Sequence, residues 1–304
     1  MTGKISGQVV LVTGASSGIG YATAKRLAAK GCRVFGTARK TTRSEAAITM
    51  LPMDVREMQS VAACVGAVIR DAGRIDALVN NAGYGIAGSV EDTSVDDMVR
   101  QLDTNFLGAL RVVQAVLPHM RAQRSGRIVQ VSSLAARIGI PFQGAYSASK
   151  AALSTLSESL SIELAPFGIA VVVVEPGDTK TSFTAMREWT ENSRSSDIYG
   201  ARARHAVGVM EKSEQMGTPP DRVAHLIERA LAAKKPKLRY VSASLPERAA
   251  LFLQRSLPDR AFEAVIRSVY EVPKKLLSGN PAPASTSVFP GGRRRDRTRR
   301  GCLE

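Results

Sequence analysis

Val9-Val10-Leu11-Val12-Thr13-Gly14-Ala15-Ser16-Ser17-Gly18-Ile19-Gly20 is an apolar run, a glycine-rich turn and the first residues of a helical pattern. Strand, glycine turn, helix is the order a dinucleotide site requires. Gly14 permits the tight turn, Gly18 lets the backbone approach a pyrophosphate, and Gly20 allows the helix to pack closely on the strand. The helix N-terminus, with its unpaired N–H groups, then faces the phosphates. The spacing is Gly-x3-Gly-x-Gly rather than the commoner Gly-x-Gly-x-x-Gly, and a glycine run by itself is also compatible with an ordinary strand–helix turn.

The pattern beyond the turn favours the cofactor reading. Short apolar segments near 8–13, 32–37, 48–52, 75–80, 126–132, 169–174 and 238–241 alternate with amphipathic ones at 19–30, 56–72, 95–122, 144–165 and 219–234. Strands alternating with helices predict an α/β fold, a doubly wound parallel sheet of the Rossmann kind with about seven strands and helices on both faces. Residues 178–216 are less regular, mixing Phe183, Met186, Trp189 and Tyr199 with polar residues, and two further amphipathic segments lie near 246–256 and 259–271. One domain over residues 1–272 is expected, followed by a disordered basic tail over 273–304, where Pro, Ser and Gly leave little apolar surface to offset ordering.

A second constellation carries chemistry. Tyr146-Ser147-Ala148-Ser149-Lys150 puts a phenol and an ammonium four residues apart on one helix face, with Ser133 thirteen positions upstream at a strand end. A nearby cation favours a phenolate, so Lys150 is expected to lower the Tyr146 pKa and make it an acid–base group for proton exchange with an alcohol. The pair alone also fits a solvated helix face.

With Thr13-Gly14 to Gly20, Asn80-Asn81-Ala82-Gly83, Asn105, the Ser133, Tyr146, Lys150 set and Pro176-Gly177 followed by Thr181, the chain resembles the short-chain dehydrogenase/reductase family over roughly residues 5–240. Residues 220–270, especially Pro236-Lys237-Leu238-Arg239-Tyr240, further resemble the branch of estradiol 17-beta-dehydrogenase type 1 and photoreceptor-type retinol dehydrogenases. The resemblance implies Tyr146 as acid–base, Ser133 holding the substrate oxygen, Lys150 binding the nicotinamide ribose, and Asn105 holding a water in a proton relay. It implies cofactor contacts from Gly14, Ser16, Ser17, Gly18, Ile19 and Gly20, from Asp54 and Val55 beside the adenine, from Asn81, Ala82 and Gly83, and from Pro176, Gly177, Thr179 and Thr181 near the nicotinamide. Thr179 stands where many members carry an aliphatic residue. The resemblance also implies a cover over the substrate at 178–216 and a homodimer or homotetramer built on helices 95–122 and 144–165.

The end of the second strand bears on the choice of cofactor. Where an NAD site carries an acidic residue for the ribose hydroxyls, this chain has Ala38, and Arg39 comes next, with Lys40, Arg43 and Ser17 nearby. A guanidinium there suits a 2′-phosphate, so NADP is expected over NAD. For the substrate, Leu134, Ile138, Pro141 and Phe142, with Phe183, Met186 and Trp189, can line an apolar pocket suited to a lipid-like, steroid-like or retinoid-like ketone, aldehyde or alcohol, or they can be core or interface residues.

Of 304 residues, 44% are apolar, enough for one large core. Cys32, Cys64 and Cys302 form no disulfide framework or metal cluster, which suggests a reducing, cytoplasmic setting. No apolar leader comes after Met1, and Ile169–Val174 is too short to cross a bilayer, so a soluble protein is expected. The net charge of +15 raises nucleic-acid or anionic-membrane binding, but part of it sits in Arg293–Arg300, without aromatic interleaving and with Cys302 misplaced for prenylation. A solvated tail is the preferred reading, peripheral membrane contact the weaker one, and no specific nucleic acid is expected. A catalytically silent NADP-binding regulatory or scaffold protein on the same fold is the competing reading of the whole chain.

Overall fold

All four residues of β1 (Val9–Val12) are buried, as suits a parallel strand covered on both faces. In the computed structural model, which describes residues 3–40, 44 and 47–274, β1 is an inner strand of a seven-stranded parallel sheet. The sheet's other strands are β2 (Arg33–Ala38), β3 (Ile48–Pro52), β4 (Ala77–Asn80), β6 (Gly126–Val131), β7 (Ile169–Pro176) and β9 (Arg239–Ser242). The order is β3-β2-β1-β4-β6-β7-β9. A separate parallel pair joins β5 (Ile86–Ala87) to β8 (Glu188–Trp189), and the sequence pattern gave no sign of it because two residues carry no periodicity.

Alternate residues of each strand feed opposite cores. Val10, Val12, Val79, Val129 and Val172 pack under α1 (Gly18–Ala29) and α8 (Pro220–Ala232). Leu11, Leu78, Ile128 and Val171 pack under α2 (Met58–Ala72), α4 (Gly108–Gln123) and α5 (Gly144–Leu164). The doubly wound expectation therefore holds, with helices on both faces. The expected helix over 95–122 is divided into α3 (Val95–Leu102), a π-helical turn at Asp103–Leu107, and α4. The widened turn accommodates Asn105, which is fully buried and whose amide is satisfied by Tyr84 and Ser149. Helical periodicity continues through such a turn, so the pattern could not reveal it.

Beyond β7 come α6 (Glu191–Ser195) and α7 (Gly200–Gln215), and after β9 come α9 (Leu245–Ser256) and α10 (Asp259–Val269). The chain through Lys274 clusters as one unit. Arg43 and residues 275–304, including Cys302 and the arginine run, lie outside the described residues.

Strand order reverses on either side of β1, which pairs with β2 and with β4. The crevice at the carboxyl ends of these strands is where open α/β sheets bind ligands. Gly14 adopts φ +65° and Gly18 φ +56°, both left-handed, and a methyl group at Gly20 would run into the carbonyl oxygen of Gly14. Because that obstacle is backbone, Gly20→Ala is expected to destabilise the protein by about 1–3 kcal/mol and to weaken nicotinamide dinucleotide binding. Denaturant unfolding and a cofactor titration measure the two effects, and wild-type values in both would refute the packing role.

Candidate active site

Helix α5 carries Tyr146 and Lys150 one turn apart, and both are buried. The Lys150 ammonium lies 5.9 Å from the Tyr146 ring centre and donates to the carbonyl of Val131 at 2.9 Å. Two residues past the end of β6, Ser133 lines the same cavity as Tyr146, and its hydroxyl accepts from the Ala135 amide at 3.1 Å. Ser133, Tyr146 and Lys150 thus converge on one wall of the crevice.

The expected depression of the tyrosine is not found. Burial pushes the Tyr146 phenol up to about 12; the Ser133 hydrogen bond and the Arg187 charge act against the rise, and the Glu214 charge adds to it. Burial likewise pushes Lys150 down to about 8. Removal from water disfavours both charged forms, and with the ammonium held on the Val131 carbonyl its pull on the phenol does not offset that cost.

A cavity of about 990 Å³ runs along the sheet edge. Gly14, Ser16, Ser17, Gly18 and Ile19 line it at the glycine turn, then Arg39, Asp54 and Val55, then Asn81, Ala82 and Gly83. Ser133, Tyr146, Lys150, Pro176, Gly177, Thr179 and Thr181 complete the wall. Two expected site residues lie outside it. Gly20 packs behind the turn, and Asn105 lies beneath Gly83, where an added methyl would come within 3.0 Å of Asn105 Oδ1 and 3.6 Å of Lys150 Nζ. There the Asn105 amide satisfies the backbone N–H and carbonyl of Tyr84.

Short polar links hold the cavity floor. Thr13 Oγ1 accepts from the amides of Asn81 and Ala82, each at 2.9 Å, and Asn81 Nδ2 donates to the Thr13 carbonyl at 3.0 Å. Ser182 donates to Ser17 at 3.1 Å, which brings the segment after β7 onto the glycine turn. Thr179 Oγ1 donates to the Gly177 carbonyl at 2.9 Å, so its departure from an aliphatic residue is absorbed within its own turn.

Residues 8–192 match the short-chain dehydrogenase family. The chain belongs to that family. It is 38% identical over 267 residues to 3-ketodihydrosphingosine reductase of Bacteroides thetaiotaomicron, covering 87% of this chain and 98% of the relative. Human 17-beta-hydroxysteroid dehydrogenase type 1 is 34% identical over 300 residues, 89% of each chain. A solved short-chain dehydrogenase from Streptomyces avermitilis superposes with TM-score 0.72 at 30% identity, covering 86% of this chain and 99% of the other. As a short-chain dehydrogenase the protein is an oxidoreductase that works with a nicotinamide cofactor on small molecules.

The crevice fits such a cofactor. Gly14 and Gly18 line it at the head of α1, with Thr181 standing against Gly18, Ala38 puts no carboxylate at the end of β2, and Lys150 lies in the wall beside Tyr146. Asp54 is engaged by Arg56, whose hydrogen bonds hold its carboxyl below the usual range. Arg39 is exposed and makes no ion pair among the described residues, and Lys40 is exposed but outside the cavity wall.

At the substrate end, Leu134, Ile138, Phe183 and Met186 line the cavity as expected, whereas Pro141, Phe142 and Trp189 do not. Trp189 is occupied in the small sheet, paired with Ala87, and the Phe142 carbonyl accepts from Gly88. Sequence reasoning missed Met210 and Met216 from the end of α7, Val265, Ile266, Val269 and Tyr270 from α10 and its end, and the acids Asp178, Glu214 and Glu247. The amphipathic pattern of α10 was legible; the surface its apolar stripe faces was not.

The protonation state of Lys150 gives a test. Its value of about 8 lies below the ordinary 10.5, so above pH 8 the free enzyme holds it mostly uncharged. If the ammonium is the form that engages the cofactor, binding takes up a proton there, and affinity falls up to about tenfold per pH unit as pH rises above about 8. Calorimetric titration of the dinucleotide in two buffers of different ionisation enthalpy is expected to show that uptake at pH 9 and to lose it in Lys150→Met. Equal proton counts in the two proteins would refute the role.

Proposed function

We propose that the protein is an NADP(H)-dependent reductase of ketones or aldehydes on apolar, lipid-like molecules, acting on CH–OH groups in the reverse direction. The observation that carries this reading is one continuous cavity. It joins the glycine turn and Arg39 to the Ser133–Tyr146–Lys150 wall, then continues into an apolar end formed by Leu134, Ile138, Phe183 and Met186. The relatives named for a ketodihydrosphingosine, a hydroxysteroid and a retinol support a hydrophobic substrate with one reacting oxygen.

In this mechanism the bound nicotinamide supplies the hydride. Ser133 donates to the carbonyl oxygen and holds it beside Tyr146, whose phenol gives up its proton as charge develops on that oxygen. A buried phenol that stays protonated at neutral pH is suited to donate that proton in the reductive direction. Lys150 steadies the resulting phenolate and binds ribose hydroxyls, and Asn105 keeps the turn beneath it in place. Arg39 pairs with the 2′-phosphate, which selects NADP over NAD. We further read the enzyme as a cytoplasmic homodimer or homotetramer whose folded domain ends near residue 272, with the basic tail outside it.

Tyr146→Phe is expected to lower kcat for carbonyl reduction by about 10²–10⁴-fold while NADPH binding persists. Absence of NADPH oxidation by the wild type across long-chain keto-amine, steroid, retinoid and medium-chain carbonyls would favour the silent cofactor-binding reading instead. Arg39→Ala is expected to weaken NADPH binding by about 10–100-fold, the scale of a lost charge-assisted hydrogen bond, and to leave NADH binding nearly unchanged. Equal losses for both cofactors would overturn the NADP assignment.

A further inference from the structure

Helix α10 has no fully buried residue, yet Val265, Ile266, Val269 and the following Tyr270 form one apolar stripe. Most of a helix's stability in a protein comes from packing such a stripe against something. Here the stripe faces the cavity that also contains Ser133 and Tyr146, joined by Ala250 of α9 and Met210 of α7. The two ends of the cavity are electrostatic neighbours, since the charge of Glu214 reaches both the Tyr146 and the Tyr270 phenol.

This wall is anchored without being filled. At the start of α9, Glu247 accepts from the Asp178 amide at 2.5 Å and from Ser244 at 2.6 and 2.7 Å. Just past α10, Glu271 meets His205 of α7 at 2.6 Å. The acids along the route have protein donors, Glu214 from Thr184 and Arg187, and Asp178 from Ser213. Polar groups on the lining are thus paired within the protein, while Met210, Ala250, Val265, Ile266 and Val269 give the wall an apolar stretch.

We propose that α10, with the facing end of α7, binds the hydrocarbon tail of the substrate, and that selectivity for chain length is set there rather than beside Tyr146. The inference rests on the carbonyl-reductase reading and names the part of the substrate which that reading leaves open. The apolar stripe is complete only when an aliphatic chain lies against it, so a long-chain ketone gains affinity from residues of α10 that never approach the reacting carbon.

A series of unbranched methyl ketones from hexan-2-one to tetradecan-2-one, reduced with NADPH by the full-length protein, tests this. Wild-type kcat/KM is expected to rise about three- to fourfold per methylene until the channel is full. Ile266→Ser is expected to reduce the ratio between the longest and shortest ketones at least about tenfold, the equivalent of two methylenes. Val265→Trp, which keeps the wall apolar but narrows it, is expected to shorten the longest chain accepted. Binding of a nitrobenzoxadiazole-labelled dodecyl chain, read by fluorescence, is expected to weaken in both variants and needs no turnover.

Wild-type kcat/KM independent of length, a wild-type slope in both variants, or failure of the full-length protein to bind the dodecyl probe would overturn the proposal. No reduction of any ketone, combined with probe binding that both variants weaken, would remove the carbonyl-reductase reading and keep the channel.

Discussion

The hydrogen bond from Lys150 Nζ to the Val131 carbonyl fixes the rest of the site. Val131 is the last residue of β6, and Lys150 lies in the second turn of α5, so one bond joins the carboxyl end of a central strand to the helix bearing Tyr146. Ser132 reinforces it, donating to the Lys150 carbonyl at 3.2 Å and meeting the Ser154 hydroxyl at 2.8 Å. With strand and helix locked, Ser133 cannot move away from Tyr146 without breaking buried polar contacts, each costly to leave unmade. Burial of the amine in this position makes it less ready to take up a proton than an exposed lysine.

A second constraint acts at the other end of the crevice. The glycine turn and the turn after β4 are bound together through Thr13 and Asn81, with every donor in the link matched to a buried acceptor. Such closeness requires small residues on both sides, since an added methyl at Gly14 would approach the Ala82 backbone to 2.9 Å. The dinucleotide cradle is therefore a property of two loops from adjacent strands rather than of the glycine run alone. Spacing in one segment could suggest it; pairing of β1 with β4 assembles it.

Much of this was legible in the sequence because buried parallel strands and amphipathic helices have strong periods. All seven strands of the main sheet were anticipated, and most site residues proved to share one cavity. The misses have a common physical origin. The π turn at Asp103–Leu107, the β5–β8 pair and the turning of the Lys150 ammonium onto Val131 depend on backbone hydrogen bonds and contacts between segments far apart in sequence. Spacing four residues apart brought Tyr146 and Lys150 together, but it could not weigh attraction between them against the cost of burying both. Trp189 and Phe142 were drawn toward the pocket by their apolar character alone, and nothing local distinguishes a pocket wall from a pairing strand.

Arg187 links the segment after β7 to α7, to the head of α5 and, through Phe183, to Tyr146. Its side chain is almost fully buried; it pairs with Glu214 of α7, and Glu211 lies 3.6 Å away. With the carboxamide oxygen of Gln143 turned toward it, Nε donates at 2.6 Å to the N-cap residue of α5. The guanidinium lies 5.8 Å from the centre of the Phe183 ring, and that ring leans on Tyr146 with centroids 5.4 Å apart. A buried ion pair is a weak source of stability, because desolvation offsets most of its Coulomb gain. What this one supplies is register, since a single planar cation contacts Glu214 of α7, the Phe183 ring and the head of α5 at once. Phe183 thus forms the wall beside Tyr146 in the same arrangement that joins Arg187 to the head of α5.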